Sequence, residues 1–164
     1  MKAIKSIKEY WESIAKWLDE VAKLASSENL ATRASLEDLE QFKKRLTIVE
    51  LPKGFEESYF CHNGFMQAIG LVHGGDWMSL DEILIFWSTK ENFWNLDYIP
   101  FVKLSIDEYI CLDLSTSKIL HIDLLEDERA LEVYAVANDF RAFLANLVND
   151  LQEGNGIMGE LLAE

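Results

Sequence analysis

Cysteine is scarce in this chain of 164 residues, and basic residues almost vanish after its first third. The two cysteines, Cys61 and Cys111, are too few for a disulfide-stapled secreted scaffold. No CxxC, HxxxH or HExxH spacing occurs, so the usual chelating patterns are missing too. No apolar run reaches the roughly 18 residues of a membrane span. The N-terminal stretch MKAIKSIKEYWESIAKW has scattered charges, no apolar centre and no cleavage site, and does not read as a signal peptide. A cytoplasmic protein is expected. Residues 1–54 hold ten Lys/Arg and nine Asp/Glu, whereas residues 55–164 hold five against twenty, and the whole chain stands at −14. Such a surface repels nucleic acid and anionic lipid, both polyanions, and attracts a basic partner. Solubility is the plainer reading of the same acidity.

What is present is apolar side chain. Hydrophobic residues make up 49% of the chain and aromatics 12%, enough for one domain to build a real core. Positions 4, 7, 11, 14, 18, 21 and 25 are Ile, Ile, Trp, Ile, Leu, Val and Ala, a helical stripe widened by Tyr10, Trp17 and Leu24. A stripe this wide suits a helix laid on its own domain better than a coiled-coil seam. Helices are expected over 3–25, 35–47, 53–62, 79–90 and 138–152. Ser35 with Asp38 and Ser79 with Glu82 form capping boxes, Pro52 opens the third helix, Asn63-Gly64 ends it with a left-handed cap, and Asn138 caps the last. Residues 68–72, AIGLV, read as a short strand, followed by HGGD as a loop. YIPFVKL, DEYICLDL and KILHIDLL read as three strands of an antiparallel meander over residues 98–125, and LEDERALEVYAVA as an acidic loop and one more strand. There is no internal repeat or low-complexity linker. The expected fold is a single α+β domain over residues 1–154, with an antiparallel-rich central sheet flanked by N- and C-terminal helices and a mobile tail over 155–164.

The second and third of those strands raise a chemical question, because Asp113 stands beside Cys111 in an apolar stretch. A three-residue turn, Ser115-Thr116-Ser117, would pair 114 with 118. Leu112 then faces Leu120, Ile110 faces Ile122 and Cys111 faces His121. Alternation favours this register, since it gathers Ile110, Leu112, Leu114, Leu120 and Ile122 on one face. The other face collects Tyr109, Cys111, Asp113, Ile119, His121 and Asp123. A nucleophilic pair of Cys111 and His121 needs a third group to orient the base, and nothing nearby offers an oxyanion hole. A metal site could draw on Cys61, His62, His73, Cys111 and His121, without chelating spacing to support it. A half-covered sheet, its polar face beneath a loop or a partner, is the favoured reading.

Four ordered segments carry a resemblance. LPKGFEESYFCHNG is similar to an "LP-x-x-F … Y … NG" helix and cap, and MSLDEILIFW to an "LSLDEI … W" segment. YIPF with DEYICLDL is similar to "W-I-P-F … Y-x-C-L-D-L" strands, and ANDFRAFLANLV to an "S-F-x-x-F-L" closing helix. From about Trp11 to Val148 the chain thus resembles the SMI1/KNR4 family of the SUKH superfamily. The resemblance implies an α+β fold without catalytic residues, cofactor or metal, and a role in binding protein. Many bacterial members of that family are immunity proteins that neutralise a cognate toxin, often a nuclease. Fungal members are linked to regulation of cell-wall synthesis, so a regulatory or scaffold role is the alternative. Two departures point to a different partner surface: Ser105-Ile106-Asp107-Glu108 stands where the family often has Gly-Gly-Asp, and Tyr98 where it usually has Trp.

Family and charge together favour capture of a basic protein toxin, because charge complementarity speeds association and discriminates partners. No nucleic acid and no membrane is expected as a partner, and a monomer is favoured. The partner-binding carboxylates expected are Asp107, Glu108, Asp113, Asp123, Glu126, Asp127 and Glu128, most of them at one end of the meander, where connections carry binding residues on a rigid scaffold.

Overall fold

Three serines set where helices begin. Ser6, Ser35 and Ser79 are each extended at the N-cap and accept a backbone N–H from the residue three further on, whose carboxylate returns the bond: Glu9, Asp38 and Glu82. Each box satisfies two N–H groups that a helix start leaves orphaned. The computed structural model describes residues 5–22, 26–66, 70–72, 74–90, 92–125 and 130–153. Its helices are α1 (Ile7–Glu20), α2 (Leu36–Leu46), α3 (Lys53–Cys61), α4 (Leu80–Thr89) and α5 (Phe140–Glu153). Its strands are β1 (Asp76–Trp77), β2 (Tyr98–Ser105), β3 (Glu108–Asp113), β4 (Ile119–Leu125) and β5 (Ala130–Ala137), in one antiparallel sheet ordered β1-β2-β3-β4-β5. The expected α+β domain is therefore present, with β5 as the additional strand. The expected tail over 155–164 lies outside the described residues.

Several local expectations need correction. The first helix starts at Ile7 because Ser6 caps it, later than expected. Residues 68 and 69 of the strand expected over 68–72 lie outside the described residues; of the rest, only Val72 forms an isolated bridge, to Gly75, and the short strand that joins the sheet is β1, which begins at Asp76, the last residue of the expected HGGD loop. Asn63-Gly64 does not cap α3, which ends at an extended His62. Asn63 Oδ1 instead accepts the Leu80 N–H at 2.9 Å, holding the start of α4. Gly64 has φ +82°, and a Cβ there would stand 2.5 Å from Ser79 N, so the close crossing of the two segments admits no side chain. Asp139 rather than Asn138 caps α5, its Oδ1 accepting the Ala142 N–H at 2.7 Å.

The core lies on both faces of the sheet. Ile7, Trp11, Ile14, Trp17 and Leu18 of α1 are buried, as are Phe140, Phe143, Leu144 and Leu147 of α5. Trp77 is the hub: its ring packs against Trp11 at 4.9 Å, Phe101 at 5.0 Å, Phe140 at 5.7 Å and Phe143 at 6.1 Å. A second aromatic group, Phe86, Trp94 and Tyr109, packs against the other face of β3. Tyr109, Ile110, Cys111, Leu112 and Asp113 are consequently all buried.

That two-sided burial overturns the expected register and the half-covered sheet. Cys111 lies opposite Leu120, Ile110 opposite His121 and Leu112 opposite Ile119. Ile110 and Leu112 therefore share one face, while Tyr109, Cys111, Leu120 and Ile122 share the other. A strand buried on both sides has no polar face, so apolar alternation has no power to choose between registers one residue apart. The turn chooses. Asp113 N–H donates to Lys118 O at 2.9 Å and Ser117 N–H to Asp113 O at 2.7 Å, closing a four-residue loop over 114–117 with Ser117 at φ +64°.

Candidate partner-binding surface

The seven expected carboxylates separate into three groups. Asp113 belongs to the turn. Its Oδ1 accepts the Ser115 N–H at 2.9 Å and the Ser115 hydroxyl at 2.7 Å, and its Oδ2 accepts the Thr116 hydroxyl at 2.9 Å. Burial pushes its carboxyl up, and these hydrogen bonds together outweigh burial, leaving the pKa below the ordinary aspartate value of 3.8. At 8% exposure it is a structural group, which corrects its assignment to the partner surface and answers why it stands in an apolar strand. Glu126, Asp127 and Glu128 lie outside the described residues. Asp107, Glu108 and Asp123 gather at the expected end of the meander: the Leu124 N–H donates to Asp107 O at 2.8 Å, and Glu108 lies opposite Asp123.

The ladder extends this cluster onto β5, where Glu132 lies opposite Asp123. Glu108, Asp123 and Glu132 are thus cross-strand neighbours on one face. Like charges directly opposite one another in a sheet are destabilising. One local relief is present: His121 Nε2 stands 3.2 Å from Glu108 Oε2, diagonally across β3 and β4, and Tyr134 stacks on the imidazole at 4.6 Å and 12°. His121 Nδ1 is buried without a hydrogen-bond partner among the described residues. His121, Tyr134 and Glu108 line a groove of about 510 Å³ between the sheet and α5, with Ile110, Phe143 and Leu147 as its apolar floor and Asn146 and Asp150 on the helix side; Asp123 and Glu132 continue the ladder from Glu108 without lining it. An apolar floor rimmed by convergent polar groups is how binding clefts are commonly built. A groove of similar size, about 540 Å³, lies between α1 and α3, but its rim mixes Lys8 and Arg33 with Glu12 and Glu57 and so favours no charge of partner.

The chemistry weighed for the hairpin does not assemble. Cys111 is fully buried on the face opposite His121, and burial holds its thiol well above the ordinary range. Among the described residues no three His, Cys, Asp or Glu side chains come together as a metal site. Cys61 and His62 end α3, where His62 Nδ1 lies 2.7 Å from Ala31 O; His73 lies outside the described residues. No described helix is long and apolar enough to cross a membrane. Sequence reasoning missed Glu132, Tyr134 and the His121–Glu108 pair. The signal was present in the alternation of HID and EVY, but placing them side by side requires the register.

Comparison with known proteins agrees with this architecture. The model of the SMI1/KNR4 family (SUKH-1) matches residues 33–146, from α2 into α5. No curated protein matches the chain.

Proposed function

Since the chain belongs to the SMI1/KNR4 family (SUKH-1), we propose that it is a non-catalytic immunity protein that neutralises a cognate, basic toxin of the nuclease type by binding it directly. The family includes immunity proteins, and one observation in this chain carries the reading further. Glu108, Asp123 and Glu132 lie in direct register across three strands, and Glu108 lines an apolar groove. The fold bears a repulsion there that incoming Lys or Arg side chains relieve, while the groove accepts an apolar or aromatic anchor between them. The acidity of residues 55–164 adds long-range attraction that speeds encounter with a cationic partner. Asp107 belongs to the same electrostatic surface in this reading, and the carboxylates Glu126, Asp127 and Glu128, which follow β4 in the sequence, are tested with it.

The test is co-expression with the toxin encoded beside its gene, followed by association kinetics against ionic strength. Wild-type protein restores growth. The Asp123→Lys/Glu132→Lys double variant associates more slowly and with a shallower salt dependence, and the Glu126→Lys/Asp127→Lys/Glu128→Lys variant behaves alike. Screening shortens electrostatic reach to about 8 Å at physiological salt, so the variants and wild type converge in rate as salt rises. Failure of the wild type to neutralise any neighbouring toxin rejects the immunity reading. Unchanged rates and salt slopes in both variants remove this end of the sheet from the binding surface.

A further inference from the structure

The two edges of the sheet differ. At one, β1 is two residues long, which blunts it. At the other, β5 runs eight residues, about 26 Å of extended chain, paired on one side only among the described residues. Its sequence, ALEVYAVA, has no Pro, no Gly, no Lys and a single charge, Glu132. Those are the devices by which proteins guard an open edge, and β5 lacks them; its ladder irregularity lies at its far end, opposite Ile119 and Leu120. Val133, Tyr134 and Val136 are 39%, 50% and 37% exposed, so apolar side chains flank the edge on both faces.

The hydrogen bonds of β4 identify which backbone groups are open. Leu124 N–H donates to Asp107 O, and Lys118 O accepts from Asp113 N–H, so even-numbered residues of β4 bond β3. Successive residues point their backbone groups to opposite sides. His121, Asp123 and Leu125 therefore bond β5 through their partners Tyr134, Glu132 and Ala130. Leu131, Val133 and Ala135 direct N–H and C=O outward.

We propose that β5 receives an extended, cation-bearing segment of the partner protein as a sixth strand, hydrogen-bonded to Leu131, Val133 and Ala135. This rests on the binding role proposed above and specifies its mode. The main chain supplies the bonds and alternate side chains the selectivity. Charge selects the occupant. Antiparallel pairing of two copies about Val133 brings each Glu132 near the other within an assembly of two chains of −14, whereas Lys or Arg at alternate positions of an incoming strand reaches Glu132 and Asp123 across the same face.

The experiment is amide hydrogen exchange read by NMR on the whole protein. The probe is a peptide of about ten residues alternating Lys and Val, beside the same peptide N-methylated at every second residue. In the free protein the Leu131, Val133 and Ala135 amides exchange fast while those of Ala130, Glu132 and Tyr134 are protected. The Lys–Val peptide slows the three outward amides by about tenfold or more, and the N-methylated one does not. Val133→Pro, which removes an outward N–H and spares the β4 ladder, weakens the peptide about tenfold or more; Val133→Thr leaves it within about twofold. If Val133→Pro fails to fold, the two peptides on wild type decide. Protection of the outward amides in the free monomer means that the chain's own segment covers the edge, and overturns the proposal. So does protection that rises with protein concentration alongside a dimer mass, or equal binding of the N-methylated peptide. Toxin neutralisation that survives in a folded Val133→Pro variant, with no peptide response, rejects strand addition alone. Loss of neutralisation in the wild type rejects the binding role and leaves the peptide result standing.

Discussion

Replacing Asp113 with alanine removes a carboxylate that accepts three hydrogen bonds from the turn it precedes, two from Ser115 and one from Thr116. A hydrogen bond to a charged group contributes about 1.5–3 kcal/mol when buried. Here the donors are turn groups that find water once the carboxylate is gone, so the closer comparison is loss of a helix N-cap, about 0.5–2 kcal/mol. Asp113 is 8% exposed, which places the expected loss near the top of that range, about 2 kcal/mol. For a domain of this size that lowers Tm by about 4–8 °C. The sign with pH follows from the depressed carboxyl. A group whose folded pKa is lowered contributes fully above its unfolded value, here 3.8, and the contribution disappears as pH falls through the folded pKa. The gap between wild type and Asp113→Ala is therefore full at pH 7 and closes progressively below about pH 4. Circular-dichroism melts of both proteins across that range measure it, and association with the proposed toxin partner, measured at pH 7 below both transitions, stays unchanged. A gap under about 0.5 kcal/mol, or one that persists undiminished at low pH, refutes the assignment of Asp113 to the turn. Weakened binding by a stable variant would return it to the partner surface.

The fold was legible wherever a local chemical signal sets an element. The Ser35 and Ser79 boxes placed two helix starts within a residue, and the i, i+3, i+4 pattern of Phe140, Phe143, Leu144 and Leu147 gave the buried face of α5 correctly. The α1 stripe read correctly as a core face at Ile7, Trp11, Ile14, Trp17 and Leu18, Trp11 packing on Trp77, but its member Val21 is exposed. What failed was information held between elements. Apolar alternation fixes register only where one face is wet, and β3 has none; the deciding residue was Asp113, whose side chain stabilises a four-residue loop. That one-residue difference moves Cys111 and His121 to opposite faces, and with it goes the chemistry considered for the pair. It also hid the contact of Glu108 with His121, because charges visible in sequence acquire neighbours only through the ladder. β1 is two residues long, too short for any periodicity to register. Asn63-Gly64 had the composition of a helix cap, but Asn63 holds a different helix from a distance of seventeen positions.

Two further outcomes test the packing. Phe143 is 6% exposed and meets Phe101 at 5.5 Å and Trp77 at 6.1 Å, so Phe143→Ala costs about 3–5 kcal/mol, read from urea melts; a loss under about 1 kcal/mol refutes the α5 core. The two cysteines separate the faces of the protein chemically. Cys61 is half-buried at the end of α3 and borders the α1–α3 groove, whereas Cys111 is fully buried on the face of β3 that carries Tyr109. A thiol reagent attacks the thiolate, and burial raises both thiols, Cys111 well above the ordinary range. Cys61 therefore labels first, at a rate that keeps rising with pH beyond the ordinary thiol value of 9.0. Cys111 labels only when the sheet opens. With a folding free energy of at least about 5 kcal/mol, the open fraction is below about 10⁻³, so Cys111 reacts about a thousandfold or more slowly, and urea accelerates it in step with unfolding. Mass spectrometry of the labelled peptides assigns each rate. Rapid labelling of Cys111 in native buffer would mean that one face of β3 is open to solvent, restoring the half-covered sheet and with it the register in which Cys111 faces His121.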